Sequence, residues 1–589
     1  MNYRPDIDGL RSIAVLPVIF FHAGLSIFSG GFVGVDIFFV ISGYLITTII
    51  LSELQNDKFS IINFYDRRAR RILPALFAVM LFCLVTGYFT MMPDEFKNLG
   101  QSLVATTAFS NNILLALTSG YWDLASEFKP LLHTWSLGVE EQYYIIIPML
   151  LLFAWKFFKS KILWMFIFIF FSSLIFAIWF VSISPNIAFY ILPTRAWEIA
   201  LGSIVAVILS KNIINKNNLY ICNLLSSIGL TLILISIFTF NNKVLSPSYY
   251  LLIPTIGTCL IIIFSNENTW TYKLLSLRPI VFIGLLSYSL YLWHQPIFSF
   301  LRIYSIEEPS TNTFLISIVF VFLISYLSLK YIETPFRNKK AVSQKAIFTF
   351  AVVGSLFFLA VGLFLNKNYG VPSRVFDPSI KIEDLDKRIY NEKIFSFKKD
   401  SFSNDSRKKL LIVGDSFGRD FTNIILETFN TDNIEIVYTP DLNQCIASKE
   451  KLYSQSDIIV FAYYSEYSKE CVDTNIKYAS NNTKKLYYIG IKNFGYNLNW
   501  LIRLSEKELA NQYNPISDEF INIDINMSNI IPPNNYISLL TPTLKGNKIP
   551  ITDDQGLMIS TDRAHLTKYG AIYFGDKVIK NTSFAQIFE

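Results

Sequence analysis

The 589-residue chain is poor in charge: Asp, Glu, Lys and Arg together make up 16% of it, where soluble domains carry about 25%. That shortfall, beside 52% hydrophobic residues with 52 Phe and 32 Tyr, excludes a wholly soluble protein and points to lipid. The length exceeds one ordinary core, so at least two domains are expected. Histidine is scarce, four residues in all (His22, His133, His294 and His565), and cysteine numbers five. Cys83, Cys222 and Cys259 lie in or beside apolar runs and read as inert. Cys445 and Cys471 lie in polar sequence without metal-ligand spacing around them, so no metal centre is expected. Repeats and low-complexity tracts are missing. A net charge of +6 reflects loop charges rather than a nucleic-acid partner. No cleavable leader is expected, because the first apolar run leads directly into a second.

What is present is an uneven distribution of apolar sequence. Runs of span length recur up to about residue 365; beyond about residue 377 none reaches the roughly 20 residues that cross a bilayer. Ten to eleven spans are expected, near 9–29, 31–51, 72–92, 141–158, 162–183, 194–210, 219–240, 249–265, 279–300, 313–333 and 346–366. The semi-polar stretch 93–140 reads as a loop with re-entrant or extra helical pieces. Loops 53–71, 156–161, 211–218, 266–278 and 334–345 hold 16 Lys and Arg, against four in the intervening connections. The positive-inside rule then puts the N-terminus in the cytoplasm, and an odd span count puts everything after residue 366 outside it. The organisation expected is a polytopic helical membrane domain over 1–370, a linker or packed connector over 371–404 with Pro372 and Pro378, and a soluble domain over 405–589.

An ionisable side chain at membrane depth is costly and usually marks a site. His22 (VIFFHAG) and Asp36 (GGFVGVDIFFV) flank the first turn and should sit at similar depth on adjacent helices. Arg195 and Glu198 (PTRAWEIALG) open a later span, where helical geometry lets them share a face, and His294 (YSLYLWHQP) lies toward the outer end of another. These groups either pair with one another to fix helix packing, or form a site in which a carboxylate orients a histidine base, or line a transporter's proton pathway. Arg67, Arg68, Arg70 and Arg71 (FYDRRARRILP) are either ordinary positive-inside bias or a phosphate clamp, since guanidinium forks match phosphate oxygens. Arg11 begins the first span, eleven residues before His22.

With these segments the chain resembles the acyltransferase-3 family of integral membrane acyltransferases. The matching stretches are YRPDIDGLRSIAVLPVIFFH, GGFVGVDIFFVISGYLIT, FYDRRARRILP, LLHTWSLGVEEQYY, RAWEIALG and LSYSLYLWHQPI, in that order, and Arg11 with His22 matches the family's arginine–histidine signature. The resemblance implies acetyl-coenzyme A bound from the cytoplasm, with Arg11, Arg67, Arg68, Arg70 and Arg71 on its phosphates. It implies His22 as base or acyl relay with Asp36 orienting it. His133, Glu140 and Glu141 match a further family motif near the site.

The last third opens on KKLLIVGDSFGRDFTNIILETF, a short apolar strand, a tight Gly-Asp-Ser turn and a helix. Further strands are expected at 434–438, 457–464 and 485–491, alternating with helical stretches, which gives an α/β domain with a parallel sheet. Ser416 sits at the turn, where a nucleophile is exposed and helix-start N–H groups can hold an oxyanion. Asp562 and His565 (STDRAHLTKYGA) are three apart, so on one helical turn the carboxylate could orient the ring and the ring activate Ser416. The arrangement resembles the SGNH esterase/acyltransferase superfamily. It departs in lacking a clean Gly-x-Asn-Asp block, for which Gly490 and Asn493 (YYIGIKNFG) are the substitutes. Cys445 and Cys471 are either an external disulfide or two unpaired buried thiols.

A membrane acyltransferase-3 domain joined to an SGNH domain resembles bacterial envelope O-acetyltransferases. The expectation is a multi-pass protein of the bacterial inner membrane that moves acetyl from acetyl-coenzyme A to a hydroxyl of an extracytoplasmic glycan. O-antigen of lipopolysaccharide comes first as acceptor, peptidoglycan or another surface polysaccharide second. The competing classes are a transporter and, for the soluble domain alone, an esterase or glycan-binding module.

Overall fold

Lipid offers the backbone no hydrogen-bond partners, so each apolar run must close its own bonds as a helix. A computed structural model describes residues 3–118, 126–214, 216–241, 243–446 and 450–588. The chain divides into two units.

The first unit, Met1–Phe89, Glu95–Leu301 and Pro309–Gly370, is helical. Its principal helices are α1 (Pro5–His22), α2 (Gly34–Gln55), α3 (Ile61–Thr90), α4 (Thr134–Phe158), α5 (Ile162–Val181), α6 (Leu192–Ser210), α7 (Leu219–Thr239), α8 (Leu252–Phe264), α9 (Arg278–Tyr304), α10 (Thr311–Ser328) and α11 (Gln344–Lys367). Among the described residues, eight segments are long and apolar enough to cross a membrane. The difference from ten or eleven has local causes. The segment Thr134–Val181 holds both α4 and α5, joined at the short turn Lys159–Lys161. The apolar segment Tyr249–Phe264 is shorter than a full span. Helix α1 carries Asp6, Asp8 and Arg11 within 18 residues. It also ends at His22 instead of running to residue 29, because Gly24 turns the chain with φ +77°. Helices Pro93–Thr107 and Asn111–Thr118 occupy part of the semi-polar stretch, of which 119–125 lie outside the described residues.

Two glycine contacts set the geometry of the sites. Gly43 of α2 lies against the Ile199 carbonyl and Gly202 of α6 against that of Val40, so a Cβ would come within 1.9 and 2.0 Å of them. Gly284 of α9 lies against the Asp8 carbonyl of α1, where a Cβ would come within 1.8 Å. Helix α2 is the central one, its apolar segment 72% buried, while that of α11 is 17% buried and presents Val352, Val353, Leu356 and Phe364 outward.

The second unit is built on Val371–Glu589, with Thr90–Asp94 and Arg302–Glu308. Strands β1 (Lys408–Gly414), β2 (Ile434–Thr439), β3 (Ile458–Ala462), β4 (Lys485–Ile489) and β5 (Tyr536–Ile537) form a parallel sheet in the order β2-β1-β3-β4-β5. The central strands are near-continuous apolar runs, as sheets covered on both faces require. The helix Ser416–Thr428 packs one face with Phe417, Phe421, Ile424 and Ile425. The 371–404 segment is not an open tether. Its helix α12 (Lys387–Glu392) seats Tyr390 in this unit's core, with Ile394 just beyond it. Cys445 and Cys471 form a disulfide.

Candidate active sites

The close α1–α9 approach brings two histidines together. His22 Nδ1 lies 3.0 Å from His294 Nε2, and His294 Nδ1 lies 3.2 Å from the Leu290 carbonyl. A carbonyl only accepts, so His294 Nδ1 carries a proton and its Nε2, in the neutral ring, is a lone pair. That lone pair takes the Nδ1–H of His22, which leaves His22 Nε2 as the basic nitrogen. His133 packs 5.6 Å, ring to ring, from His294, and Tyr291 is 5.4 Å from it. The Tyr291 hydroxyl donates to the His133 carbonyl and pairs with Ser136.

Asp36 does not orient His22. It faces Arg195, 3.0 Å away, and Arg195 also pairs with Glu198 at 2.7 Å. The guanidinium is enclosed by the rings of Phe39, Trp135 and Phe189, each 5.4–5.6 Å from it. The α2–α6 glycine contact places Asp36 on Arg195 before it can reach the histidine. A fully buried triad of this kind fixes helix register, and removing one member leaves a charge stranded.

Beside Tyr291 lies a cavity of about 250 Å³ whose walls also include Arg11, Ser42, Arg68, Arg71, Glu140, Tyr144 and Tyr288. A second cavity of about 390 Å³ is lined by Arg11, Arg67, Arg70, Arg71, Leu285, Tyr288, Arg337 and Lys339. The two share Arg11, Arg71 and Tyr288, so they adjoin. Among the described residues, the wall of the second has six cationic side chains and no carboxylate, while Arg337 pairs with Glu333 and Lys339 lies 3.3 Å from Asp66. The expected arginines differ in how far they are engaged. Arg70 is buried, bonded to Asp66 and to the carbonyls of Phe336 and Val342, which is a structural role. Arg67 pairs with Glu53 at 2.9 Å and Arg11 with Asp8 at 3.4 Å. Arg68 lies over the Tyr144 ring. Arg71 has no ion-pair partner among the described residues. Glu140 accepts from Ser42 at 3.0 Å, and Glu141 is buried one residue on. Arg337 and Lys339 escaped the sequence reading because they counted only as loop charge.

In the second unit, β1 ends at Gly414, where a Cβ would come within 1.9 Å of the Ala462 carbonyl. Asp415 caps the next helix by accepting from Phe417 N–H, and its other oxygen takes the Tyr464 N–H. This fixes Ser416 at the first helical position, with Oγ 3.2 Å from His565 Nε2; His565 Nδ1 is 2.7 Å from Asp562 Oδ2. Two expectations are corrected. Ser416 is fully buried, not exposed. Asp562 and His565 lie in a bend before the helix Lys568–Lys577, not on a helical turn, and Asp562 Oδ1 accepts the N–H groups of Ala564 and His565. Of the oxyanion substitutes, Gly490 is corrected, since its N–H is taken by the Ile537 carbonyl as part of the sheet. Asn493 accepts the Gly495 N–H through its Oδ1, which anchors the side chain and keeps its Nδ2 as a donor.

Lys387, on α12, places its Nζ 2.6 Å from the same Asp562 Oδ2. Burial alone would raise the Asp562 carboxyl, but the His565 ring and the Lys387 ammonium hold it well below the ordinary carboxylate value. No sequence pattern linked residues 175 apart.

Comparison with known proteins adds an independent line. The sequence profile of the acyltransferase domain of the acyltransferase-3 family matches residues 4–330. A peptidoglycan O-acetyltransferase, OatA, of Listeria monocytogenes is 32% identical over 353 residues, covering 57% of this chain and 56% of that protein. A putative O-acetyltransferase of Staphylococcus aureus is 31% identical over 451 residues, covering 71% and 74%. The O-acetyltransferase OatA of Staphylococcus aureus is 31% identical over 353 residues, covering 57% and 58%. The match thus spans little more than half the length of both OatA proteins. No solved structure matches the chain.

Proposed function

The chain belongs to the acyltransferase-3 family, and on that premise we propose that it is an O-acetyltransferase acting on an envelope glycan. Acetyl-coenzyme A is the donor, entering from the cytoplasm. The observation that carries this reading is the pair of adjoining cavities, one walled by cations and the other running from them to Tyr291, whose ring lies 5.4 Å from that of His294. Arg71, Arg11, Arg337 and Lys339 hold the phosphates. The pantetheine lies in the narrower cavity, and the thioester reaches the histidine layer. There His22 Nε2 takes the proton of a carrier hydroxyl as that hydroxyl attacks the thioester carbonyl. The C–S bond breaks, the acetyl group becomes an ester of the carrier, and coenzyme A leaves as the thiolate on the cytoplasmic side.

The second unit receives the acetyl group outside the cytoplasm. Ser416 Oγ gives its proton to His565 and attacks the carrier's acetyl ester, and the carrier hydroxyl leaves with that proton. The sugar hydroxyl then displaces Ser416 from its acetyl ester by the reverse proton path. The Ser–His–Asp geometry supports this SGNH-like role. The order of acceptors expected from sequence is reversed: the relative named for peptidoglycan favours that glycan over O-antigen as the first acceptor to test. A transporter is disfavoured, since a cation-walled cavity leading to a general base has no transport counterpart here.

Membranes bearing the protein, supplied with radiolabelled acetyl-coenzyme A, should label added peptidoglycan fragments in preference to lipopolysaccharide. Labelling of lipopolysaccharide alone would restore the original order. Labelling of neither would remove the O-acetyltransferase reading.

A further inference from the structure

The carboxylate of Asp562 has more partners than a histidine-orienting group needs. Its Oδ1 accepts two backbone N–H groups, and its Oδ2 takes both His565 Nδ1 and the Lys387 ammonium, at 2.7 and 2.6 Å. We propose that Lys387 is a positioning residue of the Ser416 site, an ammonium supplied by the connector that shares Asp562 with His565 and sets the acid limit of the site's activity. The inference rests on the reading of Ser416 as a working nucleophile.

The placement of Lys387 is built in. Asp386 caps α12 by accepting the N–H groups of Arg388 and Ile389, which fixes Lys387 as its first residue. One turn on, Asn391 lies on the same face. It donates to Asp420 on the Ser416 helix and accepts from Asn423. Tyr390 donates to Glu427 of that helix as well. The connector is therefore bonded to the nucleophile's helix and to the triad carboxylate at once. Besides Asp562, the charged groups facing Lys387 are Asp94, at 3.7 Å, and the adjacent Arg388. Burial alone would lower the Lys387 ammonium, but Asp562 and Asp94 raise it above its ordinary value, so it stays charged throughout the working range.

The consequence follows from charge. A triad carboxylate stabilises the imidazolium that forms when His565 takes the serine proton. An ammonium on the same oxygen withdraws part of that stabilisation and repels the imidazolium. The acid limb of the Ser416-dependent rate then lies at lower pH with the ammonium present than without it.

The test uses the full chain in detergent with 4-nitrophenyl acetate, read as the rate of nitrophenol release from pH 4 to 9 after subtraction of Ser416→Ala. If Ser416→Ala leaves the rate unchanged, the nucleophile reading itself fails, which is a separate outcome. Given a Ser416-dependent rate, Lys387→Met should move the acid limb up by about one pH unit, and Lys387→Arg should keep it in place. Should Lys387→Met lose its fold, Lys387→Gln reads the same limb, since it keeps a donor without the charge. A limb that stays put in the uncharged variants, with only the rate falling, would show a merely structural lysine and overturn the proposal.

Discussion

His22 and His565 are each seated against a fixed partner, but the partners differ in charge. His22 leans on a neutral ring, His294, whose own proton is pinned by the Leu290 carbonyl. His565 leans on a carboxylate that a lysine and two backbone N–H groups hold ionised. At membrane depth a carboxylate needs a full counter-charge, and Asp36 is committed to Arg195. A backbone carbonyl sets a tautomer there without burying a charge. In the soluble unit an ion pair at the same task is sustainable, and it gives a base that can be tuned by adding a second cation.

Several substitutions probe this contrast. The largest effects separate the two sites: Ser416→Ala should cut ester hydrolysis by on the order of 10⁴-fold or more. His22→Ala should cut glycan acetylation by about 10²–10⁴-fold, the usual worth of a general base, and leave nitrophenyl ester hydrolysis untouched. If His22→Ala also abolished ester hydrolysis, the two sites would not be chemically separate.

Next comes the neutral partner. His294→Leu removes the acceptor of the His22 Nδ1–H and should cost acetyl transfer about tenfold, one orienting hydrogen bond. His294→Gln retains an acceptor and should recover most of it. Equal loss in both would mean that His294 matters for packing, not for the tautomer.

Asp36→Asn should act on the fold rather than the chemistry, lowering the stability of the detergent-solubilised protein by about 3–5 kcal/mol with little further loss in rate per folded molecule. A rate collapse without thermal destabilisation would return Asp36 to the role expected from its place opposite His22.

The smallest effect concerns acid. Because Asp562 is held below the ordinary value, its stabilisation is complete above the unfolded-state pKa of about 3.9. It fades as pH falls through the lower folded value. Asp562→Asn lacks that component, so tryptophan fluorescence should show a shallower acid destabilisation below pH 4 than in the wild type.

Much of this was legible in the residues. Strands 434–438, 457–464 and 485–491 fall on β2, β3 and β4 because β-branched and aromatic runs between polar breaks have few other uses. Ser416 and His565 could be paired because the soluble part holds one histidine. What escaped depends on contacts between distant segments. The Asp36 partner is decided by glycines on α2 and α6, and Gly490 loses its N–H to a strand, Tyr536–Ile537, too short to announce itself. Lys387 lies in a stretch whose composition reads as linker, and only its capped helix turns it toward Asp562. The burial of Ser416 likewise follows from tertiary packing, not from the Gly-Asp-Ser turn.

If one acetyl group passes from the His22 site to Ser416, peptide mass spectrometry on membranes given acetyl-coenzyme A without added acceptor should find an acetyl ester on the Ser416 peptide of the wild type and none in His22→Ala. Ser416 acetylation that is equal in both, or absent from the wild type while glycan labelling proceeds in Ser416→Ala, would contradict that transfer.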